Sequence, residues 1–549
     1  MAVRHEDARL ARLTESLPAV VPDFLMRQRW FGGKAHAIQS AEVLDAIPAG
    51  DDCLFAGVFL VRVQLNGADS QTYTLPLAAV SPERETALKS EGRGNLLLRV
   101  RGPNPGEEEV WCDALWDRKW PQLLLDTIAE GRAFRGSGSE FRGVPTRAFP
   151  RLRGGPKHDL ESSVMSAEQS NTSVRFGNRL ILKLFRRLQT GVNPDVEICT
   201  FLTERTSFTH FPAVGGSLIY RKGGGDTSLA ILQAFVPNQG DAWKYTLDSL
   251  GAYFERIGSS PHRPAPPVAP LSSLIAEGAP PSVEAAMDGY LASARLLGER
   301  TAELHLALAS APDDPAFEPE PFSPSYQRGL CEFMLDLSAG VFGLLRSRMN
   351  QLGAGVREQA AEVLQRERDV VGRLRSILDR RIAAMRARIH GDYHLGQVLC
   401  TGHDFCIIDF EGEPTRPLDD RRIKQSPLRD VAGMLRSFHY AAFTAFLRRS
   451  AGANQGSQAA ALEPWARHWH TWASAAFLGA YLSAAQGAAF LPKEAEDREM
   501  LLQTFLLEKA VFELGYELNN RPDWVKIPLQ GIQDVLRERL GATYPSPLY

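Results

Sequence analysis

The apolar positions of this chain change period along its length. Between residues 282–308, 356–389 and 497–519 they recur at steps of three and four, which predicts helices, the second ending near Arg388. Upstream they form short runs rich in β-branched and aromatic residues, such as "CLFAGVFLVRVQL" (53–65) and "YTLPLAAV" (73–80), which predict strands. "SVRFGNRLILKLFRRL" (173–188) reads as a hairpin turning at Gly177-Asn178, and "GSLIYRKGGGDTSLAILQAFV" (216–236) as another turning at its three glycines. Between them a helix is expected to open with Asn193 as N-cap and Pro194 in its first position. A helix should also precede "RQRWFGGK" (27–34), whose glycines suit a turn, since the segment lacks the spacing of a phosphate loop. The Pro/Ser-rich stretch 259–273 reads as a surface loop. Three parts follow: an α/β unit at 1–115, a strand-rich unit with one long helix at 116–240, and a helical unit at 241–549.

Composition narrows the function. A length of 549 residues with 44% apolar and 23% charged residues describes a multi-domain globular protein. The net charge of −3 argues against a nucleic-acid binder held by phosphate contacts. Six dispersed cysteines without a Cys-x-x-Cys pair point to free thiols in a reducing, cytoplasmic setting. The charged N-terminus lacks a signal core. The uncharged stretch Trp472–Leu491 is long enough to cross a bilayer, but its serines, glycines and alanines favour a buried helix, so no membrane association is expected.

Two short acidic motifs carry the chemistry. In "HGDYHLGQVL" (390–399) Asp392 precedes Gln397 by five residues, and "IIDFEGEP" (407–414) places Asp409 at the end of a short strand. His-x-Asp followed by an amide and then by a strand-end Asp is the spacing of kinase-like phosphotransferases. In that arrangement the first Asp accepts the proton of the attacking hydroxyl, while the amide oxygen and second Asp ligate Mg²⁺. ATP's phosphates also require a cation, which Lys183 in "LILKLF" supplies, with Glu197 of the next helix as its expected partner. The backbone of Gln233, Ala234 and Phe235 is the expected adenine hinge. His390 and His394 flank Asp392, and holding the loop by hydrogen bonds is a simpler role for them than ligating a metal. Arg421, Arg422 and Lys424 form a basic cluster that reads as a solvated face or as a phosphate contact.

Six segments extend the pattern: "RQRWFGGK" (27–34), "LKLFRRLQTGVNPDVE" (182–197), "AFVPNQGDAW" (234–243), "HGDYHLGQVL" (390–399), "IIDFEGEPTRPLDDRRIKQSPLRDVAGMLRS" (407–437) and "ELGYELNNRPDWVKIPLQGI" (513–532). In this order they resemble the maltokinases, of the aminoglycoside-phosphotransferase-like branch of the kinase fold. The resemblance implies an α+β, protein-kinase-like two-lobed fold with an extra N-terminal α/β cap and a large helical C-lobe. It implies ATP- and Mg²⁺-dependent phosphorylation of maltose at its anomeric hydroxyl, giving maltose 1-phosphate for α-glucan (glycogen) synthesis. Some members are fused to a trehalose synthase, which makes such a synthase a candidate partner. By motif position Asp392 is the base, Gln397 and Asp409 the metal ligands with Glu411 beside them, and Lys183 the phosphate clamp. Ser170, Asn171, Thr172 and Ser173 occupy the place of the glycine-rich loop that this chain lacks. Phe512, Tyr516 and Asn520, spaced by four, share a helix face and with Trp524 and His394 are the acceptor-site candidates. The same motifs suit glucosamine or another small acceptor. A metal-dependent phosphoesterase, suggested by "GDYH" (391–394), and an inactive kinase-like binding protein are rival readings.

Overall fold

The computed structural model describes residues 2–537, except 51–54, 103–105, 118, 156–159, 166–169, 260–269 and 452–455. It forms two compact units, Met1–Pro237 and Asn238–Tyr549.

The first unit opens with helix Ala2–Arg27 and five antiparallel strands, β1 (Ile38–Pro48), β2 (Ala56–Leu65), β3 (Gln71–Ala79), β4 (Leu97–Arg101) and β5 (Glu108–Asp113), ordered β1-β2-β3-β5-β4. After helix Lys119–Glu130 come β6 (Ala133–Arg135), β7 (Ser139–Pro145), β8 (Ser162–Val164), β9 (Thr172–Phe176) and β10 (Leu180–Leu184). The short β11 (Arg187–Leu188), helix Pro194–Arg205, β12 (Val214–Lys222) and β13 (Gly225–Ala234) complete the unit. The second sheet runs β6-β7-β12-β13-β10-β9-β8, while β11 crosses to pair with β3 of the first sheet.

The near-continuous apolar run of β2 follows from burial on both sides. Phe59, Val61 and Val63 pack with Leu13, Leu17 and Val21 of the first helix. Val58 and Leu60, pointing the other way, share a core with Leu124, Ile128, Val174 and Leu182. Both expected hairpins form, the second turning on Gly223 and Gly224, whose positive φ values of 61° and 84° suit glycine. Asn193 caps the helix from Pro194 by accepting from the Asp195 N–H at 2.8 Å.

The second unit is helical. Its long helices include Ala242–Ser259, Tyr290–Leu308, Pro324–Arg348, Leu428–Ala451, Gly456–Ala484 and Ala495–Asn520. Two expected helices are corrected. The run 282–308 breaks into Pro281–Met287 and Tyr290–Leu308 because Asp288 and Gly289 both take left-handed backbone. The run 356–389 gives Ala354–Gln365 and Glu367–Arg375, then leaves the helix. Met385–Arg386 is a strand paired with Glu320–Pro321, and Ala387 exchanges hydrogen bonds with Gln425. These pairings satisfy backbone groups that have left the helical ladder, and Ile382 and Ala387 are buried in this extended segment. The expected loop 259–273 lies largely outside the described residues. The stretch from Trp472 is helical only to Ala484, with Trp472, Ala473 and Phe477 buried, and among the described residues no helix is long and apolar enough to cross a membrane.

Candidate active site

In the first unit Lys183 sits on the fourth residue pair from the turn of the β9–β10 hairpin, opposite Ser173, with Ile231 of β13 on its other side. Its Nζ lies 3.4 Å from Asp195 Oδ2, the two side chains being 13% and 1% exposed. Asp195 thus meets the lysine, two residues before Glu197, the partner expected from the sequence. Both belong to the first turn of helix Pro194–Arg205. The Asn193 cap and Pro194 fix where that turn begins, so Asp195 arrives at the sheet first. Cys199, one turn on, donates to Asp195 Oδ1, and burial together with that carboxylate pushes its thiol up. No motif had drawn attention to Asp195.

The four residues in the phosphate-loop position separate into two kinds. Ser170 is exposed and Asn171 half-buried in the segment before β9, whereas Thr172 and Ser173 are buried within the strand. Thr172 Oγ1 accepts from Arg186 Nε at 2.8 Å. At the expected hinge, the Gln233 side chain is buried and donates to Cys199 Sγ. The N–H groups of Ala234 and Phe235 donate to the carbonyls of Ala213 and Arg179, which commits these donors to the fold.

In the second unit the segment 390–397 is built on one buried carboxylate. Asp430, in the first turn of helix Leu428–Ala451, accepts from the backbone N–H of His390 (2.8 Å) and of Gly391 (2.9 Å). The same carboxylate meets His305 Nε2 at 2.9 Å, and His305 Nδ1 lies 3.0 Å from the Tyr481 hydroxyl. Burial alone would raise the Asp430 carboxyl. The His305 hydrogen bond and neighbouring histidines outweigh it and hold the group below its ordinary range. His390 Nδ1 accepts from the Asp392 N–H, so its proton is on Nε2, which faces the Ile408 carbonyl at 2.9 Å. This bond ties the Asp392 loop to the segment carrying Asp409. The expected loop-holding role of His390 therefore has a geometry.

Asp392 projects a carboxylate that is 21% exposed, with Lys509 Nζ 3.7 Å away and His394 Nε2 3.9 Å away. Gln397 Nε2 donates to Asp409 Oδ2 at 3.0 Å. The strand Val398–Cys400 begins just after Gln397 and the strand Phe405–Ile407 ends two residues before Asp409, and Val398 pairs with Ile407, which brings them side by side. Asp409 has φ +65°, a left-handed conformation costly outside glycine and tolerated best by Asp and Asn. The Gln397 amide oxygen and the Asp409 carboxylate are adjacent hard donors, the kind that suits Mg²⁺. Glu411 follows on the same loop.

A cleft beside this loop is lined by Gly391, Gly412, Glu413, Arg416, Lys509 and Phe512, among others. Phe512 is the acceptor-site candidate that reaches it. Tyr516 and Trp524 instead flank Arg521, at 5.5 and 4.8 Å, and the Asn520 amide folds back onto the Tyr516 carbonyl. Lys509 and Asp430 are site residues that pattern reading passed over. Each is a single charge on a helix, and only tertiary packing shows what it faces.

Gly433, one turn after Asp430, is where helix Leu428–Ala451 touches the loop. A Cβ there would lie 2.6 Å from the Tyr393 carbonyl oxygen. Gly433→Ala is expected to destabilise the protein by about 1–3 kcal/mol through overpacking. Denaturant unfolding measures this, and an unchanged midpoint would mean that helix and loop are not in contact.

Comparison with known proteins agrees with this architecture. Residues 24–117 match the model of the maltokinase N-terminal cap domain. A glucosamine kinase from Streptacidiphilus jiangxiensis is 25% identical over 377 residues, covering 68% of this chain and 73% of the relative. One from Mycolicibacterium smegmatis is 23% identical over 362 residues, covering 64% and 77%. Among solved structures, a glucosamine kinase in complex with glucosamine, ADP and inorganic phosphate superposes with a TM-score of 0.59 at 18% identity, over 95% of this chain and 99% of that one. A second crystal form gives a TM-score of 0.61 at 20% identity, covering 96% and 99%. The chain shares the fold of these glucosamine kinase structures, and its residues 24–117 match a maltokinase-type cap. The matched segment takes in the turn at Arg29–Lys34 and strands β1–β5, and β11, just after the strand that bears Lys183, pairs with β3 of that sheet.

Proposed function

We propose that this protein is an ATP-dependent sugar kinase that phosphorylates maltose at the anomeric hydroxyl, releasing maltose 1-phosphate. The observation that carries the kinase reading is the Asp392 loop, with a partly exposed carboxylate and a His390 bond that ties it to the segment of the Gln397–Asp409 pair. The match of residues 24–117 to the maltokinase cap favours maltose as acceptor.

In this reading Asp392 takes the proton from the sugar hydroxyl as its oxygen bonds to the γ-phosphorus and the bond to the leaving ADP oxygen breaks. Phosphoryl transfer demands little covalent help from the protein, so positioning and charge compensation dominate. Asp430 fixes the loop through two backbone amides, and His390 keeps the Asp392 loop in register with Asp409. Lys509 offsets negative charge that gathers beside Asp392. Lys183, oriented by Asp195, is assigned to the nucleotide phosphates, with Glu197 and Ser170–Ser173 as further candidates. Gln397, Asp409 and Glu411 would hold Mg²⁺, which supplies neutralisation of phosphate charge when bound. A trehalose synthase as upstream partner and a role in glycogen formation follow from the same reading.

Glucosamine is the second reading, because the two relatives described above are glucosamine kinases. The test is direct. The protein is incubated with Mg-ATP and maltose, glucosamine, glucose or an aminoglycoside, and the phosphorylated product and its linkage are identified by NMR. Maltose 1-phosphate as the dominant product supports the proposal. Transfer to glucosamine alone replaces it with the second reading, and phosphate release from monoesters without transfer removes the kinase reading.

A further inference from the structure

Four residues of helix Ala495–Asn520 line the cleft beside the Asp392 loop: Phe505, Glu508, Lys509 and Phe512, spaced so that they share one face. The carboxylates that line it with them are engaged. Glu508 accepts from Arg429 and lies 3.9 Å from Arg416. Glu413 accepts from the Thr415 hydroxyl at 3.1 Å and, like Glu508, opposes the charge of Arg416. Asp430 is taken up by the N–H groups of His390 and Gly391 and by His305. Lys509 is placed differently. Its Nζ lies 5.0 Å from the centre of the Phe512 ring and 3.7 Å from Asp392 Oδ1, and its side chain is 29% exposed. The other neighbour of Asp392, His394, accepts from the Gly396 N–H through Nδ1, so its ring carries one proton and no charge. The cation beside the assigned base is therefore the ammonium of Lys509.

An acceptor hydroxyl that hands its proton to Asp392 brings the substituent on the neighbouring carbon close to Lys509. A neutral hydroxyl in that place can accept a hydrogen bond from the ammonium. A second ammonium cannot. It loses its water, finds the carboxylates of the cleft engaged, and meets a like charge in partly desolvated surroundings. Asp392 does not offset this, because the proton it takes during transfer cancels its own charge and leaves that of Lys509. We propose that Lys509 sets the acceptor class, admitting uncharged sugars and turning away amino sugars by like-charge repulsion. Specificity built from a repulsive element needs no extra contact with the favoured substrate. The inference rests on the reading of Asp392 as the base and deepens it, since it ties acceptor choice to one side chain of the second unit instead of to the cap.

The test compares glucose with glucosamine, which differ by a hydroxyl against an ammonium on one carbon. For the full-length protein and its Lys509 variants, kcat/KM is measured for each sugar, or, for one that is not phosphorylated, its inhibition constant against a sugar that is. Wild type is expected to favour glucose by about tenfold or more. Lys509→Arg keeps that ratio, Lys509→Met narrows it severalfold, and Lys509→Glu narrows it further or reverses it. A loss of turnover through the chemical step moves both sugars alike and leaves the ratio unchanged, so the ratio isolates specificity from any part Lys509 plays in the transfer. Melting temperature and nucleotide affinity verify the fold of each variant, and methionine keeps the length and apolar stem of the lysine should the glutamate variant not fold. The same ratio in wild type, Arg and Met variants, or a wild type that prefers glucosamine, overturns the proposal and leaves the kinase reading in place. Transfer to no sugar removes the kinase reading and the proposal with it.

Discussion

Asp392→Asn lowers kcat for sugar phosphorylation by about 10²–10⁴-fold, the usual contribution of a positioned general base, or roughly 3–5 kcal/mol of barrier. Asparagine keeps the shape of the side chain and the loop that carries it. What it lacks is the lone-pair basicity to take the hydroxyl proton. The loop itself depends on backbone amides of His390 and Gly391 held by Asp430, none of which the substitution touches. Melting temperature should thus change little, since the side chain is partly exposed and its neighbours Lys509 and His394 stand at 3.7 and 3.9 Å, beyond a direct hydrogen bond. Nucleotide affinity should also persist, because the residues assigned to ATP lie elsewhere in the sequence. Steady-state kinetics with the acceptor identified above, alongside nucleotide binding by calorimetry, separates the two effects. Turnover within a fewfold of wild type would strip Asp392 of its role and leave the protein without an assigned base.

What the sequence made legible, and what it hid, divides by the range of the interactions involved. The β9–β10 hairpin and the helix from Pro194 were readable because their signals are local: a Gly-Asn turn, an N-cap and a proline in the first position. The Gln397–Asp409 pair was readable because a two-stranded ribbon of fixed register lies between them. The continuation of a helix to Arg388 failed for the opposite reason. "SILDRRIAAMRARI" keeps apolar residues at helical steps, yet its backbone is claimed by Glu320–Pro321 and by Gln425, partners far away in sequence. Tertiary pairing there overrides a modest propensity. Asp430 escaped notice likewise. Its partners His390 and His305 lie 40 and 125 residues away, and an acid in the first turn of a helix looks like an ordinary favourable charge. Asp195 went unnoticed because its reach to Lys183 depends on where the helix from Pro194 starts against the sheet, which only packing shows.

The largest stability effect is expected in the first unit, at a charge pair no motif announced. Arg186 follows the strand of Lys183 and is 1% exposed, and its guanidinium meets the equally buried Asp113 at the end of β5. Burial opposes both charges, raising the Asp113 carboxyl and lowering the Arg186 guanidinium, and each is the main compensation of the other. The same guanidinium donates to Thr172 on β9 and lies 4.6 Å from the Trp30 ring, and the Arg186 carbonyl accepts from the Thr74 N–H of β3. One side chain and its backbone thereby join the cap to the hairpin that bears Lys183. Its Nη1 already lacks a hydrogen-bond partner, so the arginine has no reserve of solvation to draw on. Asp113→Ala leaves a cation in that dry space and is expected to cost about 3–5 kcal/mol, a drop that urea unfolding of the full-length protein would register. Replacing both partners by apolar residues, Asp113→Leu with Arg186→Met, removes the buried charge together with its counter-charge and should recover most of the loss. A single substitution as mild as the double one would mean that water reaches the pair, and that the cap is not held to the Lys183 strand by this ion pair.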